Sequence, residues 1–218
     1  NNGKTGRWHR EHARPFVLRW LDWRFRFGFC EWLSNTYYHE DLLAIAPLLE
    51  AEDEEVRTKA AMVADLIFYD MALNSFKGVM GSTHGRAYCN SICSKTDGSY
   101  VLRALFLNQG DLPLVQNSAA VLLSILNYKA PSLIFKAAQA EQTKSRFCMS
   151  LDPEEGKALG VDPKDPDNVT LYWGMEAFSH RLVVDNTLAV KSNPDYYLKE
   201  RVRAYKEYFD LCDAAGVK

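Results

Sequence analysis

One long stripe of apolar residues constrains the fold of this chain more than any other feature. Between residues 54 and 77, side chains at helical spacing form a single face made of Val56, Ala60, Val63, Ile67 and Met71. Apolar residues that recur every three or four positions are typical of an amphipathic helix with one buried side. Asp53 precedes the stripe and has the side chain of a helix N-cap. We therefore predict a central helix from about residue 54 to Lys77, ended by Gly78 and Gly81.

The rest of the chain repeats the same pattern of helices with short connections. Further helices are predicted at residues 13–27, 37–51, 100–108, 114–127, 131–142, 169–179, 181–191 and 195–215. Residues 1–10 are a polar lead-in, and residues 145–168, rich in Pro, Gly and Asp, are irregular. Short strands fit only at 87–92 or 147–151. This order predicts an all-α fold of antiparallel αα-hairpins, in one helical domain over residues 1–218.

Composition and charge limit the partners of this domain. The formal net charge is −2, so no overall basic field attracts nucleic acid or an anionic membrane surface. No apolar run approaches the roughly 20 residues of a membrane span. Because the sequence opens without Met, we expect a processed chain or a fragment of a larger protein. The composition gives no prediction of oligomeric state.

The cysteines predict neither a disulfide scaffold nor a metal site. There are five, an odd number without dense spacing. Cys89 and Cys93 lie near His84, but this spacing has no matching second pair, so buried or free thiols are expected. We predict no bound metal and no cofactor.

Two polar clusters flank the central helix and are the most site-like features of the sequence. The first contains Glu31, Asn35, Tyr37, Tyr38, His39, Glu40 and Asp41. The second contains His84, Arg86 and Tyr88, which alternate and share one side if the backbone is extended. Gly81 and Gly85 permit close backbone approach there. A helix joining two such clusters can bring them to one pocket.

Individual residues in these clusters have structural explanations as well as functional ones. Tyr38 shares a helix face with Leu42 and is expected to point inward, whereas Tyr37 and His39 are freer to face a cleft. Arg86 either anchors an anionic ligand or ties its loop to a carboxylate such as Glu31 or Asp70.

Aromatic and acidic residues leave similar alternatives open. Trp23 belongs to an aromatic face, with Phe16, Trp20 and Phe27, that forms either core or a groove for sugar rings. Glu40 and Asp41 are also explained as acidic residues in the first turn of a helix, where negative charge interacts favourably with the helix dipole.

The residue types in the two clusters suit proton abstraction beside a carboxylate. Such a reaction needs a base, such as His or deprotonated Tyr, and cationic or amide groups that stabilise the developing charge. β-Elimination of uronic-acid polysaccharides is one example. Hydrolysis instead needs two opposed carboxylates, which Glu31 and Glu40 or Asp41 would supply. The sequence has no G-x-S-x-G elbow and no glycine-rich phosphate loop.

Three segments carry a resemblance to a known group of proteins. They are RWLDWRFRFGFCEWLSNTYYHEDLLAI (19–45), EEVRTKAAMVADLIFYDMALNSFKGVMGSTHGRAY (54–88) and LYWGMEAFSH (171–180). Over residues 1–185 the chain resembles large bacterial α/α-toroid proteins of the heparinase II/III and alginate-lyase kind. The resemblance implies an incomplete α/α-toroid-like arrangement. It also implies, by residue type, that Asn35, His84, Tyr37 or Tyr38, and Arg86 carry an elimination.

The sequence thus predicts a carbohydrate-active protein, a polysaccharide lyase that binds an acidic polysaccharide or oligosaccharide. The predicted catalytic residues are His84, Tyr37, Tyr38 and Asn35, and the predicted substrate-binding residues are Arg86, Tyr88, His39, Glu31 and Trp23. The alternative is a non-catalytic helical module that binds a sugar or a protein, and a glycoside hydrolase is the third reading. A lyase would be secreted or periplasmic, and a non-lyase cytoplasmic.

Overall fold

The computed structural model describes residues 3–29, 31–92, 97–112, 116–141, 153–158, 160, 162 and 206–216. The chain divides into two compact units, Asn1–Cys148 and Met149–Lys218. The assignment of one domain across residues 1–218 stays a prediction. Both polar clusters belong to the first unit.

The first unit consists of helices and one small β-hairpin. Its helices are α1 (Gly6–Phe27), α2 (Tyr38–Ile45), α3 (Glu54–Asn74), α4 (Cys89–Ile92), α5 (Tyr100–Leu107), α6 (Ser118–Ile125) and α7 (Ser132–Gln139). A 3-10 helix, Ala46–Glu50, follows α2 directly, and strands β1 (Ser75–Phe76) and β2 (Val79–Met80) form the hairpin. Most of the described residues are helical, which confirms the all-α class.

Helix α3 is the centre of this unit. It packs against α1, α2, the 3-10 helix, α5 and α7. Every member of the predicted stripe is buried, and Ile67 is 1% exposed. The Asp53 side chain accepts a hydrogen bond of 3.1 Å from the backbone N–H of Val56, which satisfies one free donor of the first turn. The sequence therefore predicted both the buried face and the N-terminal cap of α3.

Helix α3 ends three residues earlier than predicted. Its last residue is Asn74, and the chain then forms the hairpin between β1 and β2. The two residues of the hairpin turn, Lys77 and Gly78, have φ of 49° and 79°. Positive φ at both central residues is the geometry that matches the twist of two paired strands. The expectation that the helix continues to Lys77 was wrong because residues 75–77 belong to this hairpin.

Helix α1 begins at Gly6, so residues 6–10 are helical and not the expected lead-in. Thr5 is the cap, and its side chain accepts a 3.2 Å hydrogen bond from the N–H of Trp8. Pro15 lies inside the helix. Arg14 pairs with Asp53 and with Glu55, at 2.5 and 2.7 Å. These ion pairs hold the exposed first half of α1 against the start of α3.

The predicted helix at 37–51 is divided in two by a change of helix type. Pro47 lacks a backbone N–H, and the chain becomes a 3-10 helix from Ala46 onward. The apolar face survives this change, because Tyr38, Leu42, Ile45 and Leu49 are all buried. Helices α5, α6 and α7 lie within their predicted ranges.

The loop between the hairpin and α5 contains helix α4 at Cys89–Ile92, where a strand had been considered. The end of the loop is fixed by an ion pair with α5. The guanidinium of Arg103, fully buried, donates to Asp97 with distances of 2.9 and 2.8 Å, and also to the carbonyl of Gly78 at 3.2 Å. Arg103 thereby joins the end of this loop to the hairpin turn.

In the second unit, the described residues are helical at α8 (Pro153–Ala158) and at 206–214. Helix α8 lies inside the segment 145–168, which was expected to be irregular, and 206–214 falls within the predicted helix 195–215. The helices predicted at 169–179 and 181–191, and the strand considered at 147–151, lie outside the described residues. None of the helices in the described part of the chain is long and apolar enough to cross a membrane.

Candidate functional site

The two predicted polar clusters lie against each other in the first unit. The loop 81–88 crosses the segment 31–33, and the N–H of Gly85 donates to the carbonyl of Trp32 at 2.8 Å. A Cβ added at Gly85 would lie 2.7 Å from the backbone nitrogen of Trp32 and 2.9 Å from the Cα of Glu31. Only glycine fits this crossing. At Gly81, by contrast, an added Cβ meets open space.

His84 is oriented by a backbone group. Its Nδ1 contacts the carbonyl oxygen of Leu33. A carbonyl oxygen can only accept a hydrogen bond, so Nδ1 carries the proton and donates it. In the neutral ring, Nε2 then has the lone pair. His84 is half-buried, so this arrangement is suited to a general base or to a hydrogen-bond acceptor.

The segment that receives His84 has an unusual backbone. Leu33 has φ of 48°, in the left-handed region that a branched side chain seldom occupies. Its N–H donates to the hydroxyl of Tyr38 at 2.9 Å, while its carbonyl accepts from His84. Strained conformations of this kind occur where the surrounding contacts fix them, often at functional sites.

Tyr37 and Tyr88 form a pair at the surface. Their hydroxyl oxygens are 2.8 Å apart, and their rings meet edge to face with centroids at 6.3 Å. The hydrogen bond from Tyr37 lowers the pKa of Tyr88, and the guanidinium of Arg86 lowers it further. The same hydrogen bond raises the pKa of Tyr37. Tyr88 is therefore the more readily ionised hydroxyl of the pair, while in the neutral pair either hydroxyl can donate.

Arg86 is shared between the loop and the first cluster. Its Nε forms an ion pair of 2.5 Å with Oε1 of Glu31, and its guanidinium also bonds the Tyr88 hydroxyl. The Arg86 side chain is 43% exposed and that of Glu31 is 19% exposed. This is the ion pair that the structural explanation of Arg86 anticipated. It leaves the guanidinium accessible from solvent while fixing its orientation.

Asp41 adds a second carboxyl group to this region. It lies one turn after Tyr37 in α2, and its N–H donates to the Tyr37 carbonyl at 3.0 Å. Burial raises the pKa of Asp41 to about 7. The positive charge of Arg24 opposes the rise, and the negative charge of Glu31 adds to it. Burial thus favours the protonated acid form of Asp41, and the charge of Glu31 acts in the same direction.

Three predicted site residues are buried and do not reach solvent. Trp23 is 3% exposed, Tyr38 1% and Asn35 2%. The Tyr38 hydroxyl donates to Oδ2 of Asp70 at 3.1 Å, so the inward orientation expected from its helix face is found. The carbonyl of Asn35 accepts from the N–H of Ser99 at 3.1 Å. These contacts give Tyr38 and Asn35 supporting positions in the fold, and Trp23 is part of the buried interior.

His39 lies at the edge of the cluster. Its Nε2 is 3.5 Å from Oε1 of Glu40, in the next position of α2. The other side of the ring faces Gly98, where an added Cβ would come within 2.8 Å of Nδ1. His39 therefore packs against the end of the loop and is only partly open to a ligand.

The open part of the site consists of Glu31, Tyr37, His84, Arg86 and Tyr88, which we call the Tyr37–Tyr88 cluster. Among the residues that the structure describes, no three His, Cys, Asp or Glu side chains are grouped as metal ligands. Cys89, directly after Tyr88, is a free and exposed thiol.

Sequence reasoning explained Asp41 by the helix dipole and also offered it, as an alternative to Glu40, as a carboxylate for hydrolysis. The spacing of four puts Asp41 on the helix face of Tyr37, but it does not reveal the burial that raises the pKa of Asp41. The left-handed backbone at Leu33 had no signal in the sequence, because leucine seldom adopts it.

Comparison of the chain with known protein families, with curated proteins and with solved structures finds no match.

Proposed function

We propose that the Tyr37–Tyr88 cluster binds a uronic acid residue of an acidic saccharide, and that the protein cleaves the chain by β-elimination. The observation that carries this proposal is the hydrogen bond between Tyr37 and Tyr88, with Arg86 beside it. A tyrosine hydroxyl with a lowered pKa is suited to remove a weakly acidic proton, and it does so best next to a fixed positive charge.

The reaction can be written on these residues. The Tyr88 oxygen takes the proton alpha to the sugar carboxylate, and the freed electron pair forms a double bond to the neighbouring carbon. The glycosidic bond at that carbon breaks, and its oxygen leaves with a proton returned by the Tyr37–Tyr88 pair. Arg86 lies beside Tyr88 and would stabilise the negative charge that develops on the carboxylate. His84 would orient the sugar through Nε2.

In this proposal Arg86 binds two carboxylates, that of Glu31 and that of the substrate. Its Nε is occupied by Glu31. The guanidinium also bonds the Tyr88 hydroxyl, so a substrate carboxylate would share the five N–H donors of Arg86 with Glu31 and Tyr88. Glu31 then fixes the plane of Arg86, and it also weakens the field that the substrate experiences.

We also propose, on the sequence resemblance, that the helices of this chain belong to an incomplete α/α-toroid-like arrangement. The packing of α5 against both α6 and α7 supports this. An incomplete toroid would supply one wall of a substrate groove and would need further chain for the other.

The experiment is to incubate the full chain with a panel of uronic-acid polysaccharides and to follow the ultraviolet absorbance of the unsaturated product. We expect product from at least one of them, and loss of that product in Tyr88→Phe. Absence of product with every polysaccharide of the panel overturns the lyase proposal.

A non-catalytic binding module is the second candidate, and the ion pair between Arg86 and Glu31 favours it. If Arg86 is mainly structural, the cluster would hold an acidic sugar without cleaving it. Binding of an acidic oligosaccharide, measured by calorimetry, with no product after long incubation would select this function.

A glycoside hydrolase is favoured by one further observation. Asp41, with its pKa raised to about 7, and the Glu31 carboxylate form an acid and a base of the kind that hydrolysis uses. Hydrolysis would release new reducing ends without an unsaturated product. The two assays on one sample therefore separate hydrolysis from elimination.

A further inference from the structure

A second concave site lies away from the Tyr37–Tyr88 cluster. It is a cavity of about 570 Å³ between the β1–β2 hairpin, the turn at 108–110 and the end of α7. This volume is within the roughly 300–1,000 Å³ of sites for small molecules. Its lining includes Phe76, Ser82 and Gln109 and shares no residue with the Tyr37–Tyr88 cluster.

Two turns bring the walls of the cavity together. Gly78 of the hairpin and Gly110 have φ of 79° and 83°, and a Cβ added at Gly78 would lie 2.9 Å from the Cα of Gly110. The carbonyl of Gly78 is held by Arg103. The cavity is therefore built on fixed backbone.

Three lining residues carry buried polar atoms that have no hydrogen-bond partner among the described residues. They are Ser75 Oγ, Ser82 Oγ and Gln109 Oε1. Gln109 is 6% exposed. Buried polar groups are nearly always hydrogen-bonded, and leaving one without a partner is unfavourable. Three such atoms around one cavity leave hydrogen bonds that a bound ligand or water would complete.

The orientation of the Gln109 amide is fixed by its other end. Its Nε2 donates to the carbonyl of Ala138 at 3.0 Å. Exchanging the amide nitrogen and oxygen would put two oxygens together, so Oε1 is the free atom. Because this oxygen only accepts, the ligand has to present an O–H or N–H donor. The two serine hydroxyls can donate or accept, and each turns by rotation about a single bond.

The rim of the cavity adds an aromatic surface and little net charge. Phe76 is 71% exposed, and Lys77 Nζ lies 5.2 Å from its ring centroid. Glu141 also lines the cavity and offsets the charge of Lys77. An exposed ring beside several hydroxyl partners is suited to a ligand with one apolar C–H face and several hydroxyl groups.

We propose that this cavity is a binding site for a neutral saccharide of one or two rings. The sugar hydroxyls would donate to Gln109 Oε1 and exchange hydrogen bonds with Ser75 and Ser82, while a ring face stacks on Phe76. An anionic ligand fits less well, because the orphaned amide oxygen repels it. An apolar ligand would leave all three polar atoms without partners.

The test is ligand-observed NMR on the full chain with neutral monosaccharides and disaccharides, with glycerol, a uronic acid and a nucleoside as comparison ligands. We expect saturation transfer to at least one neutral sugar and about five- to tenfold weaker binding in Phe76→Ala, since stacking on the ring is lost. Ser82→Ala should also weaken binding without lowering the melting temperature. Phe25→Ala, at a phenylalanine of α1 that is 42% exposed and lies outside the cavity lining, is the control and should bind normally.

Arg86→Ala separates this site from the Tyr37–Tyr88 cluster. It should abolish binding of an acidic sugar and leave binding of the neutral sugar unchanged. The proposal is overturned if no neutral sugar binds, if the nucleoside or glycerol binds as well as the sugar, or if Phe76→Ala and Ser82→Ala both bind as the parent does.

Discussion

The hydroxyl oxygens of Tyr37 and Tyr88 lie 2.8 Å apart, although 51 positions separate these residues in the chain. Tyr37 precedes helix α2, and Tyr88 ends the loop that crosses the segment 31–33. Helix α3 and the β1–β2 hairpin lie between the two tyrosines in the sequence. Together they bring the chain back to the side of the unit on which Tyr37 lies. The pair therefore depends on the long helix being packed in the core and on the loop being held at Gly85.

The pH dependence of the reaction should change when Tyr37 loses its hydroxyl. The pKa of Tyr88 is lowered by the Tyr37 hydrogen bond, so in the parent protein the rate should rise with pH and level off below the ordinary tyrosine value. In Tyr37→Phe this rise should move to higher pH, with a lower rate at neutral pH. The measurement is the pH profile of product formation, together with an ultraviolet titration of tyrosinate. An unmoved profile would remove Tyr37 from this role.

The crossing at Gly85 gives a matched pair of glycine variants. Gly85→Ala puts a methyl group 2.7 Å from the backbone of Trp32, so the loop must lift away and His84 and Arg86 must lose their contacts. Gly81→Ala adds the same methyl group in open space. We expect Gly85→Ala to lose binding of an acidic sugar by at least about tenfold, since both positioned side chains move, while Gly81→Ala binds as the parent does. Equal binding by both variants contradicts the arrangement.

Substitutions at Glu31 and at Arg86 should change the affinity for a uronic acid in opposite directions. Arg86→Lys keeps the positive charge but loses the planar fork, so affinity for a uronic acid should fall. Glu31→Gln removes the competing carboxylate from Arg86 and should raise that affinity. Calorimetric titration of both variants with a uronic oligosaccharide measures this. Because the guanidinium is solvent-exposed, the melting temperature should change little in either variant. A lower melting temperature with unchanged affinity would make the pair purely structural.

The sequence was sufficient where side-chain pattern alone decides the structure. The stripe from Val56 to Met71 and the cap at Asp53 follow from period and residue type, and both were predicted. The hairpin at Lys77 and Gly78 was missed because four strand residues carry too little pattern, and lysine gives no sign of a positive φ. The start of α1 was missed because the weak cap at Thr5 precedes a polar first turn.

The candidate site was predictable as a set of residue types and not as a geometry. Both clusters were visible, and Tyr88 does contact Tyr37 while Arg86 contacts Glu31 and His84 contacts Leu33. Which residues face solvent depends on tertiary packing, which buries Asn35 and Trp23. The ionisation of Asp41 also depends on burial, and burial of a polar side chain cannot be read from spacing alone.

The core position of Ile67 leads to a prediction on stability. Ile67 is 1% exposed in α3, so Ile67→Asp places a carboxylate in apolar surroundings and should cost about 3–5 kcal/mol. Met62→Asp, in the same helix, is the control because Met62 is 39% exposed. Urea unfolding of the two variants measures the difference. A small cost at Ile67, comparable with that at Met62, would mean that this face of α3 is not the core.

Asp70 should make the protein less stable as pH rises. Burial raises the pKa of Asp70 to about 7, from an ordinary value of 3.8, and the hydrogen bond from Tyr38 only partly opposes this. Between these two values the folded protein binds a proton that the unfolded chain has already released. The free energy of unfolding contributed by Asp70 is therefore fully present below about pH 4 and is lost as pH rises to about 7, by up to about 4 kcal/mol.

Asp70→Asn tests this contribution because the amide does not ionise and its oxygen still accepts from Tyr38. Urea unfolding at pH 5 and at pH 8 gives, at each pH, the difference in free energy of unfolding between variant and parent. This difference should favour the variant more at pH 8 than at pH 5. Comparing differences matters, since the raised pKa of Asp41 adds a pH dependence in the same direction to both proteins. Asp111→Asn, at an exposed aspartate, should show equal differences at the two pH values. If Asp70→Asn behaves as Asp111→Asn does, then Asp70 is ionised in the folded protein throughout this range, and Tyr38 donates to a carboxylate.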